Sequence, residues 1–248
     1  MKQQLTIIYF INITCMLLFC ANIQAQNDSI NTKTTDTLKI PQKYGLRIGG
    51  DVSKLIRSFL DDNYKGFEIM ADFRYSNRMY IAGEIGIEEK ESVNDYLNVT
   101  TKGTYFKGGI DYNLYQNWLD MDNMIYTGFR LGASSFSHTL NTFKVYSTNQ
   151  YWTPQFTSET SQDFNGLTAV WLEIIIGIKA EIFKNLYIGL NAQLKGLVTE
   201  KDPVNFENIY IPGFNKTYDS SGIGTGYSYS ISYRIPLYKK EKIVAPVN

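Results

Sequence analysis

The last part of the chain alternates apolar with small or polar residues over residues 222–238. One set of positions holds Ile223, Tyr227, Tyr229, Ile231, Tyr233, Ile235 and Leu237, and the other holds Gly224, Gly226, Ser228, Ser230, Ser232 and Arg234. A period of two predicts a β-strand whose two faces meet different surroundings. Because alternation over ten or more residues matches a tilted strand that crosses a bilayer, the segment is predicted to be a transmembrane β-strand.

Similar alternation recurs along the chain. The predicted strands are 44–53, 66–76, 79–89, 103–115, 124–135, 167–182, 186–198 and 222–238. Their connections are short at 76–78, 116–123 and 183–185 and long at 54–65, 90–102, 136–166 and 199–221. This alternation of lengths is typical of outer-membrane barrels. We therefore predict an all-β fold, an eight-stranded antiparallel up-and-down transmembrane β-barrel with short periplasmic turns and long extracellular loops.

The two faces of the predicted strands differ in charge. One face holds apolar residues such as Ile48, Ile85, Phe106, Phe129 and Ile174 and carries no charged residue. The opposite face holds Arg47, Asp51, Glu68, Asp72, Arg74, Glu84, Glu88, Lys107, Asp111, Arg130, Glu173, Lys179, Glu181, Lys195 and Arg234. A soluble barrel such as a lipocalin is the alternative, with its apolar face inward. The length and purity of the apolar set favour lipid outside and charges in the lumen.

The N-terminus predicts export. Residues 1–25 contain one charge, Lys2, an apolar stretch and small residues before Gln26, as a secretory signal peptide does. Acylation at Cys20 is an alternative, which the bulky Phe19 disfavours. The predicted organisation is a signal peptide at 1–25, a flexible periplasmic leader at 26–43, the barrel at 44–238 and a periplasmic tail at 239–248. Localisation in the bacterial outer membrane follows from this organisation.

Composition limits the chemistry. Both cysteines, Cys15 and Cys20, lie in the predicted signal peptide, so the mature chain has no disulfide or thiolate. The 24 basic residues balance 24 acidic ones, which indicates no nucleic-acid partner. The 19 Tyr and 14 Phe suit a barrel. We predict no cofactor and no metal site, and outer-membrane lipid as a partner.

The chain resembles a family of small outer-membrane β-barrel proteins of the Bacteroidetes type whose function is unknown. The resemblance is carried by residues 44–60 (YGLRIGGDVSKLIRSFL), 66–69 (GFEI) and 80–86 (YIAGEIG). It implies a barrel in the outer membrane and transfers no catalytic residue. The tail after Tyr238 departs from the terminal aromatic residue usual in such barrels.

The inward charges are the first candidate site. An eight-stranded barrel is just wide enough for side chains to fill it, and buried charges persist only with partners. We therefore predict a paired polar core, with a narrow pore or proton path as the alternative.

The only histidine, His138, is the second candidate. With Ser135 or Ser137 and an acid such as Glu88 or Glu173, it would suit a lipid hydrolase, in which the histidine takes the serine proton. The spacing matches no such motif, and a polar residue at the barrel rim is the simpler interpretation.

Two short segments suggest binding. The glycines of residues 221–226 resemble a phosphate loop but have period two and enter a strand, so we interpret them as packing residues. Residues 54–60 combine Lys54 and Arg57 with apolar residues. This segment is predicted either to lie at the membrane interface near lipid phosphates or to fold over the barrel mouth.

The longest loops are rich in aromatic residues, which supply contact area at binding surfaces. The predicted contacts are Tyr146, Tyr151, Trp152, Phe156, Tyr210 and Phe214. The leading hypothesis is a non-enzymatic structural or interaction protein whose loops contact an extracellular or envelope partner. A lipid-modifying hydrolase and a narrow pore are the alternatives.

Overall fold

The computed structural model describes residues 39–116, 122–145, 157–158, 160–204, 206–215 and 221–243. These residues form one helix and eight long strands, with a two-residue strand, Thr157–Ser158, beside the fifth. The elements are β1 Lys39–Asp51, α1 Val52–Leu60, β2 Tyr64–Arg74, β3 Met79–Val93, β4 Leu97–Gln116, β5 Met124–Lys144, β6 Gln162–Phe183, β7 Leu186–Glu200 and β8 Ile223–Ile243.

The eight long strands form a closed antiparallel barrel. Each strand pairs with its neighbours in sequence, and β1 pairs with β8 to close the ring. Stepping from Arg47 to its paired residue on the next strand, and so on around the barrel, leads to Gly224 of β8. In the closing pair of strands, however, Arg47 of β1 lies opposite Arg234, which is ten residues further along β8. Such a stagger makes the strands tilt strongly against the barrel axis. The predicted eight-stranded up-and-down barrel is confirmed.

The wall has an apolar outer face and a polar inner face. Outward side chains such as Ile85, Phe106, Phe129 and Ile176 are 50–64% exposed, whereas the inward Glu68, Asp111 and Lys107 are at most 2% exposed. On β3 the outward apolar run ends at Ile87, and the next outward residue is Glu89. The barrel therefore carries an outer apolar band and a charged interior, opposite to a soluble protein.

Several predicted boundaries are wrong. β3 and β4 continue beyond the predicted ends, so the predicted long loop 90–102 is a hairpin whose turn is 94–96. These extensions lie above the apolar band, where both faces are polar and the alternation is weak. β1 begins within the predicted leader, and β8 continues into the predicted tail. The predicted signal peptide lies outside the described residues.

The segment after β1 is a helix, not the predicted loop. Asp51 caps it by accepting the backbone N–H of Ser53 at 2.8 Å. At the opposite end of the barrel, Asn185 has a φ of 67° in the tight turn between β6 and β7. An asparagine tolerates this left-handed conformation better than most residues, which favours the predicted turn. We call the end that carries α1 the mouth and the opposite end the short-turn end.

Candidate functional site

All fourteen residues of the predicted polar network point into the lumen. They are Arg47, Asp51, Glu68, Asp72, Arg74, Glu84, Lys107, Asp111, Arg130, Glu173, Lys179, Glu181, Lys195 and Arg234. Period-two alternation places them there, because each follows or precedes an outward apolar residue.

In one part of the lumen each carboxylate lies between two cations. Asp72 accepts hydrogen bonds from Arg47 Nε at 2.6 Å and from Lys179 Nζ at 2.7 Å. Asp111 contacts Arg130 Nη1 at 2.8 Å and Lys179 Nζ at 3.6 Å. Lys179 therefore links a carboxylate of β2 to one of β4, and these ion pairs offset the free-energy cost of burying the charges.

Lys107 is the centre of a second cluster. Its ammonium contacts Glu84, lies 3.4 Å from Glu68 and is 4.0 Å from Glu173. Lys195 in turn lies 3.6 Å from Glu173. One buried cation thus serves three carboxylates from three strands, which ties β2, β3 and β6 together across the lumen.

Arg234 anchors the short-turn end. Its guanidinium contacts Asp122 and lies 3.3 Å from Glu181, while Arg74 lies 3.5 Å from Asp122. Asp122 was not predicted, since it precedes β5 in a connection without alternation. Asp51, although buried and inward, serves as the cap of α1.

Two cavities among these lumen charges are of water size. One of about 20 Å³ lies beside Glu68, Asp72 and Arg130, and one of about 10 Å³ lies beside Arg74 and Arg234. A cavity of about 10–15 Å³ holds roughly one water molecule. Neither of these two cavities is large enough to form an aqueous path through the lumen.

The connection before β8 fills the mouth from inside. Ile211 and Phe214 are fully buried, and the Phe214 ring centroid lies 5.9 Å from that of Trp171. Gly213 has a φ of 82°, and a Cβ at this position would lie 2.6 Å from the ring of Tyr105. Glycine therefore allows residues 206–215, which we call the plug, to pack closely against the wall.

Glu88 holds the plug and α1 together. It binds Lys54 of α1, accepts the Tyr210 hydroxyl at 2.7 Å and the Gly213 N–H at 2.9 Å, and accepts the Tyr64 hydroxyl at 3.0 Å. Burial alone would raise the pKa of Glu88, but Lys54 and the hydrogen bonds from Gly213 and Tyr210 lower it to about 2. The carboxylate is therefore ionised at neutral pH and holds α1 and the plug together at the mouth.

Two of the six predicted loop contacts lie inside the mouth of the barrel. Tyr210 is 6% exposed and Phe214 is fully buried, so both belong to the plug and not to an external surface. Sequence could not distinguish them, because aromatic residues serve surfaces and cores alike. Tyr146, Tyr151, Trp152 and Phe156 lie outside the described residues.

His138 is fully buried on the inner face of β5. Its Nδ1 lies 2.7 Å from Thr101 Oγ1 and its Nε2 lies 3.1 Å from Asn208 Oδ1. Burial lowers its pKa, although its contact with Asn208 opposes the shift. His138 therefore links the wall to the plug as a core residue, which differs from the predicted rim position.

The serine and acidic residues predicted as triad partners do not contact His138. Ser135 and Ser137 alternate to the outer side of β5. Glu88 is held by α1 and the plug, and Glu173 accepts Trp171 Nε1–H at 2.7 Å. The structure thus does not bring a serine, this histidine and a carboxylate into one site. Lys54 would contact lipid phosphates if residues 54–60 lay at the membrane interface, but it binds Glu88 in the mouth instead.

The described part of the chain lacks two further types of site. The glycines of residues 222–226 enter β8 and open no helix, so they form no phosphate loop. No group of three His, Cys, Asp or Glu residues is arranged to hold a metal ion within the described ranges. None of the helices formed by these residues has the length and apolarity needed to span a membrane.

Comparison with known proteins identifies a family. Residues 6–240 match the family model described as "Domain of unknown function (DUF6048)". No curated protein matches the chain significantly.

Two solved structures are similar to the chain. Ail, the attachment invasion locus protein of Yersinia pestis, is 12% identical, with a TM-score of 0.41 over 78% of this chain and 98% of Ail. Neisserial surface protein A is 8% identical, with a TM-score of 0.38 over 79% of this chain and 99% of that protein. Likeness at this level carries no inference about activity.

Proposed function

The chain belongs to the family of the domain of unknown function DUF6048, and we propose that it is an outer-membrane barrel with a closed polar lumen and a non-enzymatic structural or interaction role. The observation that carries the proposal is the inverted barrel wall. Its outward residues are apolar and half-exposed, and its inward charges are paired. Exposing such a band to water would be costly, whereas a bilayer accommodates it.

The closed lumen favours a structural role over conduction. Salt bridges cross the lumen at several levels, and the plug fills the mouth with Phe214 and Ile211. An ion would have to separate paired charges such as Lys107 and Glu84, at a cost of several kcal/mol. The proposal therefore assigns no pore activity.

The buried hydrogen bonds of His138 support a structural role for this residue. A serine hydrolase needs an accessible nucleophile within about 2.6–3.2 Å of its base. The hydroxyl beside His138 belongs to Thr101, which is also fully buried. The predicted external contacts Tyr146, Tyr151, Trp152 and Phe156 remain the proposed sites for a partner at the cell surface.

Membrane fractionation tests the proposal. The full chain, expressed in a bacterium with an outer membrane, is expected in the outer-membrane fraction. A folded barrel should migrate faster than its boiled form on a gel, because the compact barrel resists detergent unfolding. Recovery from the soluble periplasm, without heat-dependent migration, would refute it.

Planar-bilayer recording addresses the closed lumen separately. Purified protein is expected to give no reproducible conductance steps. A matched variant, Lys107→Ala, removes the central cation and provides a test of whether the paired lumen seals the barrel. Regular conductance steps from the unmodified protein would overturn this part of the proposal.

A further inference from the structure

The barrel wall has a gap beside α1. β1 ends at Asp51, which pairs with Ser230, but β8 continues to Ile223 and β2 begins at Tyr64. Residues 223–229 of β8 therefore pair with β7 alone among the described strands. α1 lies where β1 would have to continue in order to complete the wall.

α1 is fastened to one side of this gap. Ser58 Oγ accepts the Gly66 N–H at 2.8 Å and so satisfies part of the free edge of β2. Lys54 binds Glu88 of β3, and Asp61 directly after the helix lies 3.0 Å from Lys90. In the described ranges, no hydrogen bond or ion pair joins α1 to β8. The side toward β8 therefore packs without such polar bonds.

Two cavities begin near the start of α1. A mouth cavity of about 610 Å³ is lined by Ser53 and Arg57 of α1 and by Thr225 and Tyr227 of β8. An outer groove of about 430 Å³ is lined almost entirely by apolar surface and includes Val52. Val52 and Ser53 are adjacent in sequence, so the two cavities are neighbours at the start of the helix.

The groove runs from Val52 across the outward faces of β8, β7 and β6 on the outer apolar band. Tyr229 and Ile231 line it, and the Tyr229 ring centroid lies 5.8 Å from that of Tyr227 in the mouth cavity. We call the two neighbouring cavities the trough. Polar and apolar groups line its mouth part, and its outer part is apolar. This division matches an amphiphile with its head at the mouth and its chain against the wall.

The exposed face of α1 continues the apolar surface. Leu55 and Ile56 are 38% and 49% exposed, and Phe59 and Leu60 are 86% and 82% exposed. They occupy one side of the helix, opposite Lys54 and its contact with Glu88. Because this face adjoins the proposed bilayer band, lipid chains are the occupant that its position favours.

The charges of the mouth cavity are balanced. Lys54 is bound by Glu88 and Lys90 by Asp61, so their charges are compensated. Arg57 is 40% exposed, stacks on the Tyr64 ring at 3.9 Å from its centroid and lies 3.6 Å from Asp61. Its planar fork suits a phosphate.

Glu91 also lines the cavity and supplies a carboxylate there, which accepts a hydrogen bond from Asn98 at 3.0 Å. A strongly anionic head would therefore meet Glu91 and Asp61 as like charges, which favours a head that carries both signs.

We propose that the trough, from the mouth cavity beside α1 to the groove over β8, β7 and β6, binds one zwitterionic phospholipid, with its phosphate at Arg57, its ammonium at Glu91 and an acyl chain in the outer groove. The inference rests on the proposed membrane location. It adds a specific lipid site to a barrel that otherwise contacts lipid only through its general surface.

Native mass spectrometry of the full purified protein tests this site. The protein in maltoside micelles is offered equal amounts of phosphatidylethanolamine and phosphatidylglycerol. One phosphatidylethanolamine per barrel is expected, at several-fold higher occupancy than phosphatidylglycerol. Arg57→Gln should weaken binding about tenfold, because a charge-assisted bond to phosphate is lost.

A second variant fills the apolar part of the trough. Ile231→Trp should abolish lipid retention, whereas Ile110→Trp on the opposite wall should not. The two isoleucines are a matched pair, because they are 49% and 46% exposed. Arg78→Gln, an exposed arginine at the short-turn end, is the control for Arg57→Gln. Heat-modifiable migration verifies that each variant is folded.

Three results would overturn the site. If lipid retention is insensitive to both trough variants, the lipid is bound only at the general surface. A preference for phosphatidylglycerol would contradict the balanced charges of the mouth cavity. No lipid retention at all would exclude tight binding. If the protein itself never fractionates with the outer membrane, the proposed function fails instead, so the two failures are distinguishable.

Discussion

Replacing Lys107 by Met is expected to destabilise the barrel strongly. Lys107 is 2% exposed and contacts Glu84, Glu68 and Glu173. Methionine keeps most of the side-chain volume but removes the charge, so the carboxylates lose their shared cation. Breaking a buried ion pair by removing one partner costs about 3–5 kcal/mol, which we expect here.

The matched control is Lys102→Met on the outer surface of the same strand. Lys102 is 61% exposed and lies 3.2 Å from Glu89. An exposed ion pair contributes about 0–1 kcal/mol, so this change should have little effect. The two variants share one chemical change and differ in burial.

Urea unfolding in lipid vesicles measures the difference, with tryptophan fluorescence and gel mobility as signals. With a slope of about 2 kcal/mol per molar urea, a loss of about 4 kcal/mol lowers the midpoint by about 2 M. Adding Glu84→Gln to Lys107→Met should restore part of the stability, since the carboxylate in contact with Lys107 is removed while Arg130, its other partner, keeps Asp111. Equal stability of the two Lys→Met variants would refute the paired-lumen model.

Three further predictions concern the mouth. The pKa of Glu88 is lowered from 4.5 to about 2, so its stabilisation is complete above pH 4.5 and is lost as pH falls toward 2. The hydrogen-exchange protection factors of the plug amides, which correct for the pH dependence of intrinsic exchange, should fall in that window, and Glu88→Gln should remove this pH dependence. Ser58→Ala should cost about 1 kcal/mol and speed exchange of the Gly66 amide, because its acceptor is lost; unchanged exchange would contradict the role of Ser58. His138→Ala should destabilise the plug while leaving the membrane lipid profile identical to that of the unmodified strain by mass spectrometry, and an altered profile would revive the hydrolase hypothesis.

The barrel was predictable because the bilayer imposes period-two patterning on every strand. Ile85 and Glu84 illustrate this, since adjacent residues face the outer apolar band and the charged lumen. The patterning ends where both faces meet water, and residues 90–93 of β3 and 97–102 of β4 therefore lie outside the predicted strands. Strand assignment from alternation works only inside the band.

The helix and the plug were harder to predict. Residues 52–60 carry apolar positions at helical spacing behind the cap Asp51, a signal that was present but short. The plug depends on Gly213 and Phe214 meeting Tyr105 and Trp171, contacts between residues far apart in sequence. Ion-pair partners such as Lys179 and Asp72 likewise require the register of the whole barrel.

Site-directed spin labelling along β3 tests the orientation of the barrel most directly. Single cysteines from Ile81 to Glu88 would be labelled in reconstituted protein, and their accessibility to oxygen and to a water-soluble nickel reagent measured. Oxygen accessibility should peak at Ile81, Ile85 and Ile87 and fall at Ala82 and Glu84, since odd positions face outward. High nickel accessibility at the odd positions, or no alternation, would contradict a barrel whose apolar face lies in lipid.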